Sequence, residues 1–288
     1  EKAQTLLGIM YYDGDGIPQD FAQAANWFRK AAEQGEAVAQ TALGGLYFQG
    51  HGVPQDYGQA INWRKKAAKQ GDTTAQRALG SMYYQGLGVK QDYSRALKWF
   101  RKAADQNDVA AQVILGDMYS KGRGADQDYA KSAQWYRKAA EQNDMVAQTT
   151  LGAMYFKGIG VPQDYAEAVY WREKAANQGD ALAQVALGSM YYRGTGVPQN
   201  YAEALKWCRK AANQNNATGQ AMLGSLYYQG AGVPQDYVEA HFWFNLAAAA
   251  GHEEAIKVRK ILATMMTPAD IAKAQKRASE WFAANQPD

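Results

Sequence analysis

The chain has one cysteine, three histidines and seven prolines in 288 residues, and no apolar run approaches the ~18 residues of a membrane span. A single thiol, Cys208, excludes an internal disulfide framework. Of the histidines, His51 is far along the chain from His241 and His252, and that pair has no nearby cysteine or suitably spaced acid, so a metal centre is not expected. There is also no excess of one charge. The 31 Lys and Arg are interleaved with 28 Asp and Glu, leaving a net charge of +3, too little for the one-sided field that nucleic acid requires. No shift of composition and no Ser- or Pro-rich linker divides the chain, which predicts one continuous body. It opens at EKAQTLLGIM, already inside a helical pattern. We therefore expect a first repeat truncated at its N-terminus, with a signal segment missing from this sequence.

What is present is a period. Trp27, Trp63, Trp99, Trp135, Trp171, Trp207 and Trp243 are 36 residues apart, and Gly8, Gly44, Gly80, Gly116, Gly152, Gly188 and Gly224 keep the same step. A constant repeat of this length marks a solenoid or array, here of seven copies. Each copy reads as two helices. In the second, Ala39, Leu43, Leu46 and Tyr47 carry helical apolar spacing, and so do Tyr57, Ala60, Ile61, Trp63, Ala67 and Ala68. Asp20, Asp56, Asp92, Asp128, Asp164, Asn200 and Asp236 stand where a side-chain oxygen caps the second helix. Gly35, Gly71, Asn107, Asn143, Gly179, Asn215 and Gly251 stand where it ends, the choice a left-handed residue demands. Asp72, Asp108, Asp144 and Asp180 are then expected to cap the next first helix.

The paired loop glycines, such as Gly50 and Gly52, read as turns rather than a phosphate cradle, because no strand precedes them. A glycine inside a helix, as at Gly44, costs about 1 kcal/mol relative to alanine, and its recurrence implies close helix contact. Lys30, Lys66, Lys102, Lys138, Lys174 and Lys210 lie in the last turns of the second helices, where they complement the helix dipole as a solvated ridge.

The words AQVALGSMYYRGTGVPQNYAEALKWCRKAANQNN, Ala183 to Asn216, closely resemble Sel1-like repeats, longer-looped relatives of tetratricopeptide repeats. The resemblance covers residues 1 to about 251. It implies an all-α fold, a right-handed α-solenoid of antiparallel helix pairs, acting as an adaptor, often in bacteria at the cell envelope or in host contact. Periplasmic or secreted placement follows as an expectation. Some cysteine-rich members have been associated with penicillin-like compounds; this chain lacks those cysteines, so that activity is not carried over. Residues 252–288 are expected to form C-terminal capping helices, near Glu253 to Met266 and Pro268 to Ala284, over an unusually apolar seventh repeat containing HFWFNLAAAAG.

An array predicts a partner on its extended concave surface. Columns 40, 43, 44 and 47 of the second copy hardly vary between copies and read as core; columns 41, 45 and 48 vary and share a helix face. On this basis the candidate partner-binding residues are Tyr12, Phe48, Arg77, Tyr84, Asp117, Lys121, Phe156, Lys157, Tyr192, Arg193 and Tyr228. The aromatics among them form a ladder broken only by Ser120, and the flanking cations suit a protein or peptide with apolar and acidic groups. Packing of these rings between repeats is the alternative. The fourth copy, SKGRGADQDY, departs most and is either the centre of a site or a tolerant repeat. No nucleophile with a base, paired carboxylates or ligand set is visible, so we expect a monomeric, cofactor-free, non-catalytic scaffold. The alternatives are an envelope protein binding cell-wall glycan or a related small molecule and, more remotely, an amidase or β-lactamase-like enzyme.

Overall fold

The computed structural model describes residues 2–285, and among them there are sixteen α-helices and no strand. They fall into two compact units, Glu1–Gln142 and Asn143–Asp288. The first unit holds α1 (Lys2–Asp13), α2 (Phe21–Glu33), α3 (Ala37–Gln49), α4 (Tyr57–Lys69), α5 (Thr73–Gln85), α6 (Tyr93–Ala104), α7 (Val109–Lys121) and α8 (Tyr129–Glu141). The second holds α9 (Met145–Lys157), α10 (Tyr165–Asn177), α11 (Ala181–Arg193), α12 (Tyr201–Asn213), α13 (Ala217–Gln229), α14 (Tyr237–Ala249), α15 (Glu253–Ala263) and α16 (Pro268–Ala284). Within each unit the odd-numbered first helix of a repeat packs on its even-numbered second helix, which packs in turn on the next first helix. In the tail, α15 ends at Ala263 rather than Met266 and α16 spans Pro268–Ala284; residue 1 of the repeat region and residues 286–288 of the tail lie outside the described residues.

The caps are where the sequence placed them. Asp56 accepts the Gln59 amide at 2.9 Å and Asp72 the Ala75 amide at 2.7 Å, satisfying donors that a helix start leaves unpaired. Asn107, Asn143 and Asn215 all have positive φ, at 66°, 68° and 62°. The loop motif PQDY divides its labour residue by residue. Gln55 donates its side-chain amide to the Phe48 carbonyl at 2.9 Å, closing the end of α3, while Asp56 opens α4 and Tyr57 packs on Phe48.

Two glycines show why nothing larger fits. A Cβ on Gly44 would lie 2.9 Å from Arg64 Cγ and 3.2 Å from the Ala60 carbonyl, so the paired helices touch through this position. Gly52 has φ 68°, and a Cβ there would lie 2.2 Å from the Phe21 carbonyl: the loop of one repeat rests on the start of the preceding second helix.

Within each unit, a recurring pair of glutamines ties a repeat to the one before it. Gln40, 3% exposed, donates its side-chain amide to the Ala32 carbonyl at 3.0 Å, capping the preceding second helix. Its own side-chain oxygen accepts from Gln70 at 3.0 Å, and Gln70 also donates to the Gly35 carbonyl at 2.9 Å. The same rung recurs as Gln106 to Gln76 at 2.8 Å, Gln142 to Gln112 at 2.8 Å, Gln178 to Gln148 at 2.7 Å and Gln214 to Gln184 at 2.9 Å. The next donor position is Ala250, and the buried Oε1 of Gln220 is left with no hydrogen-bond partner. Ala250→Gln is therefore expected to add about 0.5–1.5 kcal/mol, the net worth of a satisfied buried bond. Urea unfolding measures it, with the gain required to vanish in a Gln220→Leu background.

Candidate interaction face

The variable columns of the first helices separate into three environments. Column 41 is a stacking position. Thr41 donates to Asp72 at 3.0 Å and Arg77 pairs with Asp108 at 3.1 Å, each reaching the cap of the next repeat. In column 45, Asp117 is held by Lys121 at 2.6 Å one turn on. Column 48 holds the ladder, and its rings are half-buried throughout. Each packs on the aromatic that starts its own second helix: Tyr12 on Phe21 and Phe48 on Tyr57 at 5.3 Å, Tyr84 on Tyr93 at 5.1 Å, Phe156 on Tyr165 at 5.3 Å, Tyr192 on Tyr201 at 5.5 Å, Tyr228 on Tyr237 at 5.7 Å. One side of each ring thus braces its own repeat. Ser120 breaks the series and leaves Tyr129 with no ring opposite it from that column.

The fourth copy acts through its loop. Arg123 lies over both Tyr84 and Tyr93, at 5.5 and 5.7 Å, and donates to the Tyr84 hydroxyl. That guanidinium already occupies the third rung. Of the flanking cations, Lys121, Lys157 and Arg193 are all exposed, and Lys157 and Arg193 have no acidic partner among the described residues.

Two cations beneath the ladder were not among the residues expected from the sequence. Arg64 and Arg172 sit in the column that follows the repeated Trp, held elsewhere by Phe28, Phe100, Tyr136, Cys208 and Phe244. Arg172 is only 9% exposed. Both run beneath ladder rings, Arg64 at 4.7 Å from the Phe48 centroid and Arg172 at 4.7 Å from that of Phe156. Their far ends donate to thioether sulfurs, Arg64 to Met82 at 3.2 Å and Arg172 to Met190 at 3.0 Å. Neither meets a carboxylate among the described residues, and burial pushes the Arg64 guanidinium down to about 10. Each places positive charge under an aromatic face, a favourable cation–π arrangement. A charge in an otherwise apolar column was the signal available.

The opposite ridge is self-engaged. Lys66 lies 3.9 Å over Trp63, Lys30 4.1 Å over Trp27, Lys138 4.2 Å over Trp135 and Lys210 4.4 Å over Trp207, pairs at the i, i+3 spacing of one helix face.

Groups suited to chemistry have structural employment. Cys208 is fully buried, and burial pushes its thiol up to about 12, far from a reactive thiolate. His252 caps α15 by accepting the Ala255 amide at 3.2 Å. His241 is buried against Asn245 at 3.0 Å, and burial, with Arg259 nearby, lowers its pKa. His51 stacks on Phe21 at 4.8 Å. Among the described residues no cluster of three or more His, Cys, Asp or Glu is placed to hold a metal, and no helix is long and apolar enough to cross a membrane.

Comparison with known proteins identifies the repeat. The Sel1 repeat model matches residues 1–36, 37–72, 73–108, 109–144, 146–180, 181–216 and 217–252. Among solved structures, a Sel1 repeat protein from Oxalobacter formigenes is 38% identical over 91% of this chain and 76% of its own, with a TM-score of 0.69. A protective antigen present in uropathogenic Escherichia coli strains, displaying an SLR fold, is 29% identical over 98% of this chain and 84% of its own, with a TM-score of 0.56. No curated protein matches the chain.

Proposed function

The chain belongs to the Sel1 repeat family, and from that premise we propose that it is a non-catalytic scaffold holding an acidic protein or peptide segment on the first-helix faces of its two units. Sel1 repeats are in general protein-interaction modules. The observation that carries the reading is the ladder: half-buried rings braced on one side, with unpaired or buried cations beside and beneath them. Bracing leaves little ring motion to lose on binding, and aromatic anchors of this kind carry disproportionate interface energy. An extracytoplasmic location in a bacterium belongs to the same proposal, beside a structural relative that is a protective antigen present in uropathogenic Escherichia coli strains.

The test is affinity capture with the folded chain, followed by titration calorimetry on the captured partner. Phe156→Ala and Tyr192→Ala are each expected to weaken binding by about 1–2 kcal/mol with the helical circular dichroism unchanged. Tyr84→Ala is expected to do less, because Arg123 already covers that ring. Charge reversal at Lys157 is expected to slow association more than at Lys121, which Asp117 neutralises. Normal binding by the ring variants, with loss on substituting Lys66 and Lys102, would move the site to the ridge. Capture of cell-wall glycan fragments instead of protein would favour the envelope-glycan reading.

A further inference from the structure

The side chain that follows the repeated Trp lies against the first-helix glycine of its own copy, and where it is arginine it runs on to the next first helix. Arg64 passes Gly44 on its way to Met82, and Arg172 passes Gly152 on its way to Met190. In the sixth copy the residue is Cys208, whose sulfur ends behind Gly188, 2.5 Å from where a Cβ would be. The position corresponding to Met82 and Met190 is Leu226. Between Gly188 on α11 and Leu226 on α13, the direction in which Arg64 and Arg172 extend in their own copies, there is a cavity of about 250 Å3. Its wall includes Met222 and Tyr192, and Ser189, Ser225, Gln229 and Arg193 also line it. Tyr192 donates its hydroxyl to Gln229 at 2.5 Å, which holds the ring at the side of the opening.

We propose that this cavity is a side-chain pocket that receives a leucine- or phenylalanine-sized residue of an acidic peptide segment. The volume suits such an occupant, since about 150 Å3 is enough to hold a benzene ring. Gly188, Met222 and Leu226 offer it apolar surface, and the serines and Gln229 offer hydrogen-bonding groups to the peptide backbone. Arg193 has no acidic partner among the described residues, and no acid lines the cavity, so a carboxylate beside the inserted residue is the complementary group. This pocket rests on the scaffold reading and places a specificity element in the sixth copy.

Amide NMR titration of the full chain tests it, with acetyl-Phe-Glu-Glu-amide and acetyl-Phe-Gln-Gln-amide as probes. The acidic peptide is expected to shift Gly188, Ser189, Tyr192 and Ser225, and to bind about tenfold more tightly than the neutral one. Arg193→Glu is expected to abolish that preference. Cys208→Phe, which restores the aromatic usual in this column, is expected to remove the shifts. Ser225→Trp blocks the opening from its half-buried rim and gives the same result should the core variant fold poorly. No shifts at millimolar peptide, or shifts that survive both blocking variants, overturn the pocket. Partner capture run in parallel separates the two readings. A Cys208→Phe chain that captures its partner undiminished through Phe156 sinks the pocket alone. Loss of capture on altering Lys66 and Lys102, with the peptide shifts intact, supports the pocket and sinks the wider reading.

Discussion

A chain ending at Gly251 is expected to aggregate, or to unfold progressively from its last repeat, while the chain through Asp288 remains monodisperse. The reason is the composition of α14. Phe242, Trp243, Phe244 and Leu246 are all at or below 6% exposed, so this helix is buried on more sides than a second helix facing only its own repeat. Part of that cover comes from the tail. Ala274 and Ala278 of α16 pack with Phe242, Trp243 and Leu246, and Ala255 and Leu262 of α15 pack with Phe244 and Ala247. Arg277 also pairs with Glu239 at 2.6 Å and lies 4.6 Å over Phe242. Each large apolar side chain returned to water forfeits about 1.5–3 kcal/mol, and an uncovered apolar end on a repeat array invites association. Light scattering with hydrogen exchange on α13 and α14 decides it. A monomeric truncated chain with unchanged exchange there would show that α15 and α16 are not a cap.

Trp135→Ala is expected to cost about 3–5 kcal/mol, the range for truncating a large aromatic in a core. The ring is 7% exposed and packs in the cluster of Phe100, Leu115, Met118 and Tyr119. Trp27→Ala is expected to cost less, because the ring in the first copy is only half-buried. Urea unfolding by far-ultraviolet circular dichroism, with exchange at α7 and α8 as the local readout, measures both. A loss below 1 kcal/mol at Trp135 would place the Trp column on the surface.

The cap and turn positions were legible because they depend on local geometry. Only a few side chains fit a left-handed helix end, so a column restricted to Gly and Asn announces its own conformation, as Asn107 and Gly71 do. Gly44 was legible for a similar reason: a costly residue kept seven times implies a neighbour, here Arg64. The glutamine rungs were not. An invariant Gln40 reads as buried, but its partners, Ala32 and Gln70, become visible only when helices from adjacent repeats are brought together. The ladder was half legible. Helical spacing places Tyr12, Phe48 and Tyr228 at the same position of their own helices, yet nothing in that spacing shows that each ring leans on the first aromatic of the following helix. Arg77 joined the variable set for its position and is tied to Asp108, because a variable column can still make a contact whenever its partner, a cap, is constant. The cavity beside Gly188 needed a comparison of side-chain reach: Cys208 matters there for the atoms it does not have.

The glutamine rungs also bear on how such a chain changes over generations. Gln70 donates to Gln40 and Gly35, and Gln106 to Gln76 and Gly71, partners at the same separations in both copies. Excising or duplicating 36 residues between copies that carry both glutamines therefore rejoins like donors to like acceptors. A gain or loss inside a helix that is not a whole number of repeats turns its glutamine away from that partner. Unequal recombination can thus lengthen or shorten this protein in whole-repeat steps without inventing an interface, and selection is left to act on the side chains the rungs do not use.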